Sequence, residues 1–384
     1  MEQPQQEHSA RLPWIGEVWQ ASEDRFDEFK YLLATRLSGR DKLKICCFHS
    51  FGNAAGARLL GRIIEDPGDL SSRVDSQWWH NVVATVKRFE SDEVPGARLE
   101  LRCGPASMVV ETDREGYFDV ELPLPPLTEF PPSWSARLLS APGYTADYVE
   151  RLATPQAAVT FSQHRAQFGV ISDVDDTVLP SHATQWWRLV WKVLTENATT
   201  RLPFPGVSEF YRQLHKGSDG QYLNPLYYVS SSPWNIYDLL IEIFSQHGVP
   251  PGPLLLKDLG LGPDSRGFGN HGGKLEWICE ILDHSPELRF ILIGDSGQRD
   301  AWIYQQVVQK YPGRIMAIYI RHVHEPNREP IAAIGNQLAA AGVPLLIMED
   351  THQAVEHAIE HGWIQPAAAP KVDRQIEEDK TKEE

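Results

Sequence analysis

The sequence predicts an α/β protein in which a parallel sheet fills the second half, preceded by a small antiparallel β-sandwich domain. Three observations carry this reading. From residue 168 onward, short apolar runs alternate with longer stretches of helical periodicity, the pattern of βα units. From about 41 to 155 the texture is short alternating runs broken by Gly, Pro and Asp, which suits antiparallel strands joined by turns. Two of the later apolar runs, Phe168–Asp173 and Phe290–Asp295, end abruptly in acids, at the carboxyl ends where open α/β sheets place their ligands.

Taken in order, residues 1–40 read as an N-terminal helical extension, with Ile15, Val18, Trp19, Phe26, Phe29, Leu32 and Leu33 at mixed helical spacing. Residues 41–155 form the β-sandwich domain. Its candidate strands are Lys44–Phe48, Leu99–Cys103, Met108–Thr112 and Tyr117–Leu122, with Asp113–Gly116 as a hairpin turn and Trp78–Phe89 as a helical excursion. Pro155–Gln167 reads as a linker. Residues 165–365 read as the α/β domain, with strands at 168–173, 226–230, 254–256, 290–293, 315–320 and 345–348. Its helices lie near 184–196, 205–215, 234–247, 274–284, 300–311, 331–341 and 351–362. Residues 366–384 read as a disordered charged tail, since the last fourteen hold six acids against four bases.

Composition bounds the function. A formal charge of −16 argues against a general nucleic-acid binder and against broad adhesion to an anionic membrane, because both need a basic surface. Four cysteines without CxxC spacing suggest neither a zinc site nor a disulfide framework, which fits a reducing cytoplasm. The start lacks the layout of a signal peptide, and no stretch approaches about 18 uninterrupted apolar residues, so no transmembrane segment is expected.

Four separated stretches carry chemistry. In Asp173-Val174-Asp175-Asp176-Thr177, a strand ends in clustered carboxylates. Each pair of like charges about 4 Å apart repels by roughly 4 kcal/mol at an effective dielectric near 20, so a cation belongs there. Asp173 attacking phosphorus would form an aspartyl phosphate, and Asp175 would serve as general acid and base. A calcium loop would need Gly where Val178 stands. In Val229-Ser230-Ser231-Ser232-Pro233-Trp234, hydroxyls and amides at a strand-to-helix junction suit phosphate oxygens, although serines there are also ordinary N-caps. Gly272-Gly273-Lys274 opens a helix with an ammonium that would neutralise an incoming phosphate, with Lys257 as its rival. It is no Walker motif, because Leu275 follows the lysine. In Gly294-Asp295-Ser296-Gly297-Gln298-Arg299-Asp300, two further acids would hold a hard divalent ion with Asp173, the Asp175 backbone and water, the oxygen-rich setting Mg²⁺ favours. Asp300 alone also suits a helix cap.

The order of these four, DxDxT, then Ser, then Lys, then GDxxxxD, resembles the haloacid dehalogenase-like phosphohydrolase superfamily and its Rossmann-like parallel sheet. More closely, Ile171–Val178, Val229–Asn235 and Gly294–Gln298 look like the actin-patch-protein family of Mg²⁺-dependent phosphatidate phosphatases and its bacterial relatives. Phe48–Gly52, Ala57–Arg62, Asp92–Ala97 and Glu115–Phe118 look like the β-domain that precedes the catalytic domain there. The resemblance implies Asp173 as nucleophile and Asp175 as acid/base. It implies Thr177, Ser230, Ser231 and Lys274 as phosphate ligands, and Asp173, Asp175, Asp295 and Asp300 around Mg²⁺. It further implies an enzyme that meets a lipid phosphate at a membrane surface, to which cysteine usage and net charge add a cytoplasmic setting and no nucleic-acid partner. A phosphatase for a soluble metabolite and a non-catalytic interaction scaffold are the alternatives. Trp186, Trp187 and Trp191 read as core packing or a small cap, His322 and His324 as surface residues, and Arg321 as a substrate contact.

Overall fold

The computed structural model of the protein describes residues 42–66, 94–126, 129–161, 166–174, 205–221, 224–257 and 273–383. The N-terminal extension over 1–40, the helical stretches Trp78–Phe89 and 184–196, and Asp175 and Thr177 lie outside the described residues. Leu43–Glu384 cluster as one unit. The fold is mixed α/β with two sheets, one of them parallel throughout.

The first sheet contains β1 (Lys42–Cys47), β2 (Ser50–Gly52), β3 (Gly56–Asp66), β4 (Arg98–Cys103), β5 (Ala106–Glu111), β6 (Tyr117–Pro123), β7 (Ser133–Ser140) and β8 (Gln156–Phe161). Their order is β1-β3-β2-β8-β7-β4-β5, with β6 paired to β3. Ladders β2–β3, β3–β6, β4–β5, β4–β7 and β7–β8 are antiparallel, while β2–β8 is parallel. Alternation supplies the inward face: Leu99, Leu101 and Cys103 of β4 meet Trp134, Ala136 and Leu138 of β7, all buried. A short helix, α1 (Ala146–Glu150), is capped by the Thr145 hydroxyl.

Two sequence readings fail here. Asp113–Gly116 does not close a hairpin, because β5 pairs with β4 whereas β6 pairs with β3. The Asp113 carboxylate instead accepts the amides of Glu115 and Tyr117, turning the chain from one ladder to another. Gln156–Phe161 is a strand rather than a linker, held between β2 and β7.

The second sheet contains β9 (Gly169–Asp173), β10 (Leu226–Pro233), β11 (Leu254–Lys257), β12 (Phe290–Asp295), β13 (Ile315–Arg321) and β14 (Leu345–Met348). Its order is β11-β10-β9-β12-β13-β14. The helices are α2 (Val207–Lys216), α3 (Tyr237–Gln246), α4 (Lys274–His284), α5 (Asp300–Lys310), α6 (Arg328–Ala339) and α7 (Thr351–Glu360). The chain runs outward from β9 through β10 to β11, then returns to place β12 on the other side of β9. The order therefore reverses between β9 and β12, the crevice in which such sheets bind ligands.

The tail is the third departure. Residues 369–383 form helix α8 (Ala369–Glu383), not a disordered segment. Ala368, Val372 and Ile376, four apart, make one apolar stripe within a polar composition. Val372 is fully buried, and the Asp379 carboxylate accepts the Gly206 amide at 3.0 Å. Gly206 has φ of +79°, and a Cβ there would approach Ile376 to 2.5 Å, so the contact demands glycine. Among the described residues no helix is long and apolar enough to cross a membrane.

Candidate active site

Asp173 is the last residue of β9 and fully buried. Its neighbours are set by register: Val229 of β10 pairs with Asp173 itself, and Ile293 of β12 pairs with Ser172. The two acid-ended strands are therefore adjacent, with Asp295 at the end of β12 also fully buried. Carboxylate oxygens of Asp173, Asp295 and Asp300 lie within 4.8 Å of one another.

Lys274 completes the cluster. It opens α4 after Gly273, whose extended backbone (φ −143°, ψ 157°) starts the helix without a side-chain cap. Burial of Trp277, Ile278, Ile281 and Leu282 fixes the helix against the sheet. The ammonium, 5% exposed as a residue, stands 2.7 Å from Asp173 Oδ1 and 2.8 Å from Asp300 Oδ1. It also donates to Gln298 Oε1 at 2.8 Å. Lys257, the rival, is exposed at the end of the outermost strand β11.

The loop after β12 is self-bracing. Asp295 Oδ1 accepts the amides of Gly297 (2.6 Å) and Gln298 (2.9 Å). Asp300 Oδ2 accepts the Asp295 amide at 3.1 Å. The cap reading of Asp300 therefore gives way: Arg299 is the N-cap of α5, and the Asp300 carboxylate turns back to Lys274 and Asp295. Gly294 makes room for it, since a Cβ there would lie 2.5 Å from Asp300 Oδ2. The Ser296 hydroxyl accepts the amides of Val323 and His324, both at 2.9 Å, tying this loop to the one after β13.

Ser230 is buried just past the level of Asp173, and its hydroxyl accepts the Ser232 amide at 2.9 Å. Ser231 is exposed. Neither serine caps α3, whose N-cap is Ile236 after a turn of 3₁₀ helix. His322 bonds Glu325, and the pair His322 and His324 belongs to no three-ligand cluster among the described residues. Arg321 stands opposite Asp295 in the β12–β13 ladder, half-buried.

Three contributors were not singled out by sequence. Gln298 holds Lys274, and the buried phenols of Tyr211 and Tyr304 flank the acids. Tyr211 shares a 2.6 Å hydrogen bond with Ser172, and Tyr304 donates to the Ile293 carbonyl at 2.7 Å. Burial, reinforced by the charges of Asp300, Asp173 and Asp295, pushes the Tyr304 phenol well above its ordinary value. Burial also raises Tyr211; its bond to Ser172 and the charge of Arg321 oppose that, and Asp173 adds to it. Both phenols stay neutral. The spacing of Tyr304 four residues after Asp300 on one helix was the signal available.

Three carboxylates gathered in one buried cluster beside the Lys274 ammonium are costly unless their charge is balanced. The donor set, all oxygen and all anionic, suits a hard divalent cation.

Residues 168–322, which include Asp173, Ser230, Lys274, Asp295 and Asp300, match a family model described as the catalytic domain of phosphatidate phosphatase APP1. Phosphatidate phosphatase APP1 of Saccharomyces cerevisiae is 28% identical over 286 residues, 67% of this chain and 46% of that protein. An uncharacterised protein of Schizosaccharomyces pombe is 25% identical over 244 residues, 63% of this chain and 37% of that protein. The chain thus spans less than half the length of these curated relatives. Among solved structures, a carbohydrate acetylesterase from Xanthomonas citri covers 78% of this chain and 66% of its own, with 10% identity and a TM-score of 0.27, an overlap too small to inform fold or activity. The resemblance carried by the four motifs is therefore to the family of phosphatidate phosphatase APP1, and over residues 168–322 it is a match to that family's catalytic domain.

Proposed function

We propose that the chain is a Mg²⁺-dependent phosphomonoesterase that works through an aspartyl phosphate, with phosphatidate or a related lipid phosphate as substrate. The observation that carries this reading is the convergence of Asp173, Asp295 and Asp300 within 4.8 Å, with the Lys274 ammonium bridging Asp173 and Asp300. The match of residues 168–322 supports the choice of lipid phosphate. The same reading takes the parallel sheet as haloacid dehalogenase-type, the first sheet as a β-sandwich domain, and the protein as cytoplasmic and peripheral at the membrane.

In this scheme an Asp173 carboxylate oxygen attacks phosphorus, and the bond to the leaving oxygen breaks. Asp175, two residues on, gives the leaving oxygen its proton and later takes one from the water that hydrolyses the aspartyl phosphate. Lys274 compensates the negative charge of substrate and nucleophile, while Asp300 and Gln298 hold its ammonium in place. Asp173 and Asp295 would hold Mg²⁺, with Asp175 supplying an oxygen, and Asp300 completing the acidic set. When bound, the ion offsets repulsion between phosphate and carboxylate that amounts to roughly 8 kcal/mol at 4 Å and an effective dielectric near 20. Ser230, Ser231 and Thr177 are the proposed phosphate ligands beside Lys274.

The test is hydrolysis of an aryl phosphate with Mg²⁺ and with excess chelator, in the wild type and in Asp173→Asn. Metal-independent turnover, or turnover unchanged in the variant, contradicts the mechanism. Release of phosphate from phosphatidate vesicles, compared with a panel of soluble phosphates, then decides the substrate class.

A further inference from the structure

The first sheet reaches α4, the helix that opens with Lys274, through one buried arginine. Arg58 of β3 is 8% exposed and makes a two-pronged bond to Asp119 of β6, Nε to Oδ1 at 2.8 Å and Nη2 to Oδ2 at 2.6 Å. Its remaining prong, Nη1, pairs with Glu280 of α4. The guanidinium lies 5.2 Å from the centre of the Trp277 ring. Lys274, Trp277 and Glu280 recur every three residues along α4, so that each neighbours the next around the helix. Trp277 is fixed a second time, its indole N–H donating to the Leu256 carbonyl at 3.0 Å.

The far end of the same helix is gripped from the same sheet. Asn53 donates to the His284 carbonyl at 3.0 Å, Glu121 faces His284 Nε2 at 3.1 Å, and Phe51 packs edge-on against the imidazole. Hydrophobic packing alone lets a helix slide and turn by a fraction of a residue, because apolar contact is non-directional. A forked guanidinium locked to a strand carboxylate is directional.

We propose that Arg58 is a positioning residue for Lys274: anchored by Asp119, it sets the rotation and axial level of α4 through Trp277 and Glu280, and so the place of the ammonium between Asp173 and Asp300. The first sheet is then part of the machinery that aims the phosphate-binding lysine, rather than a module tethered beside it. The kinetic arm of the test rests on the phosphatase reading; the spectroscopic arm does not.

Two variants break the link while sparing the core. Glu280→Ala keeps the Arg58–Asp119 pair and suits a helix, and Arg58→Lys keeps the charge but loses the fork. Aryl phosphate kinetics are read beside the ¹³Cε chemical shift of Lys274 in lysine-labelled full-length protein, assigned with Lys274→Arg. Each variant is expected to lower kcat about 10-fold, with KM changed about 2-fold or less, since a 1 Å misplacement costs up to roughly 10²-fold. The Lys274 signal should move in both. In a Lys274→Met background, Glu280→Ala should cost nothing further. Folded variants with an unmoved signal and unchanged kcat overturn the proposal, as do losses that multiply in the Lys274→Met background. Should the wild type hydrolyse no phosphate ester, the phosphatase reading fails and the Lys274 signal alone decides the positioning role.

Discussion

Two adjacent strands, β9 and β12, end in the same sequence signal, an apolar run followed by an acid, yet the two acids are held differently. Asp295 is tied by its own loop, with two backbone amides two and three residues on meeting one oxygen. Asp173 meets an ammonium from a helix a hundred residues later in the chain. A carboxylate gripped by its own backbone is a rigid holder. One faced by a cation that a distant element delivers is suited to meet an incoming group beside that cation. The strand pattern is shared; the role is set by what arrives from elsewhere.

The sharpest break of this comparison is at Asp173. On the proposed mechanism, Asp173→Asn should abolish aryl phosphate hydrolysis, by at least about 10³-fold in kcat, because it removes the attacking carboxylate. Lys274→Met should cost about 10²-fold, the usual loss when one aimed donor is removed from a site of developing charge. Gly294→Ala tests the holder side: its methyl would meet the Asp300 carboxylate and the Tyr304 hydroxyl, displacing the brace of Lys274. The expected loss is about 10-fold in kcat with both strands intact, checked by circular dichroism.

The smallest effect lies where the two sheets meet. His49 is half-buried, its ring bonded to Thr160 Oγ1 at 2.8 Å and its amide donating to the Tyr237 hydroxyl at 2.9 Å. Burial pushes its imidazole down to about 4. A folded value below the unfolded one means that the stability tied to neutral His49 is full above about pH 6.5 and is lost as pH falls through about 4. Thermal melting between pH 7 and 4 should therefore show a loss on the order of 1 kcal/mol that is smaller in His49→Gln.

The parallel sheet was legible because its inner strands are covered on both faces and so read as apolar runs, such as Phe290–Ile293. All six appear where the spacing put them, some extended by one to three residues. The first sheet was read less fully: β2, β3, β7 and β8 were missed. β3 carries Arg58 and Arg62, which look like solvent-facing residues until Asp119, Glu280 and the Tyr117 and Trp277 rings are seen to cover them. Helix α8 was hidden for a related reason, since three apolar residues in a charged tail suffice when a glycine at 206 lets them dock. In the candidate site, Asp173, Asp295 and Asp300 stood out as acids at or just past strand ends and Lys274 was preferred to Lys257 by resemblance, whereas Gln298, Tyr211 and Tyr304 join through contacts that no local pattern announces.

The central claim is that carboxylates from two neighbouring strand ends converge on one divalent cation. Anomalous diffraction from crystals soaked in Mn²⁺, a stand-in for Mg²⁺, tests it most directly. An ion bridging Asp173 and Asp295 is the result anticipated; at saturating Mn²⁺, an empty position between them, or an ion held elsewhere, contradicts it.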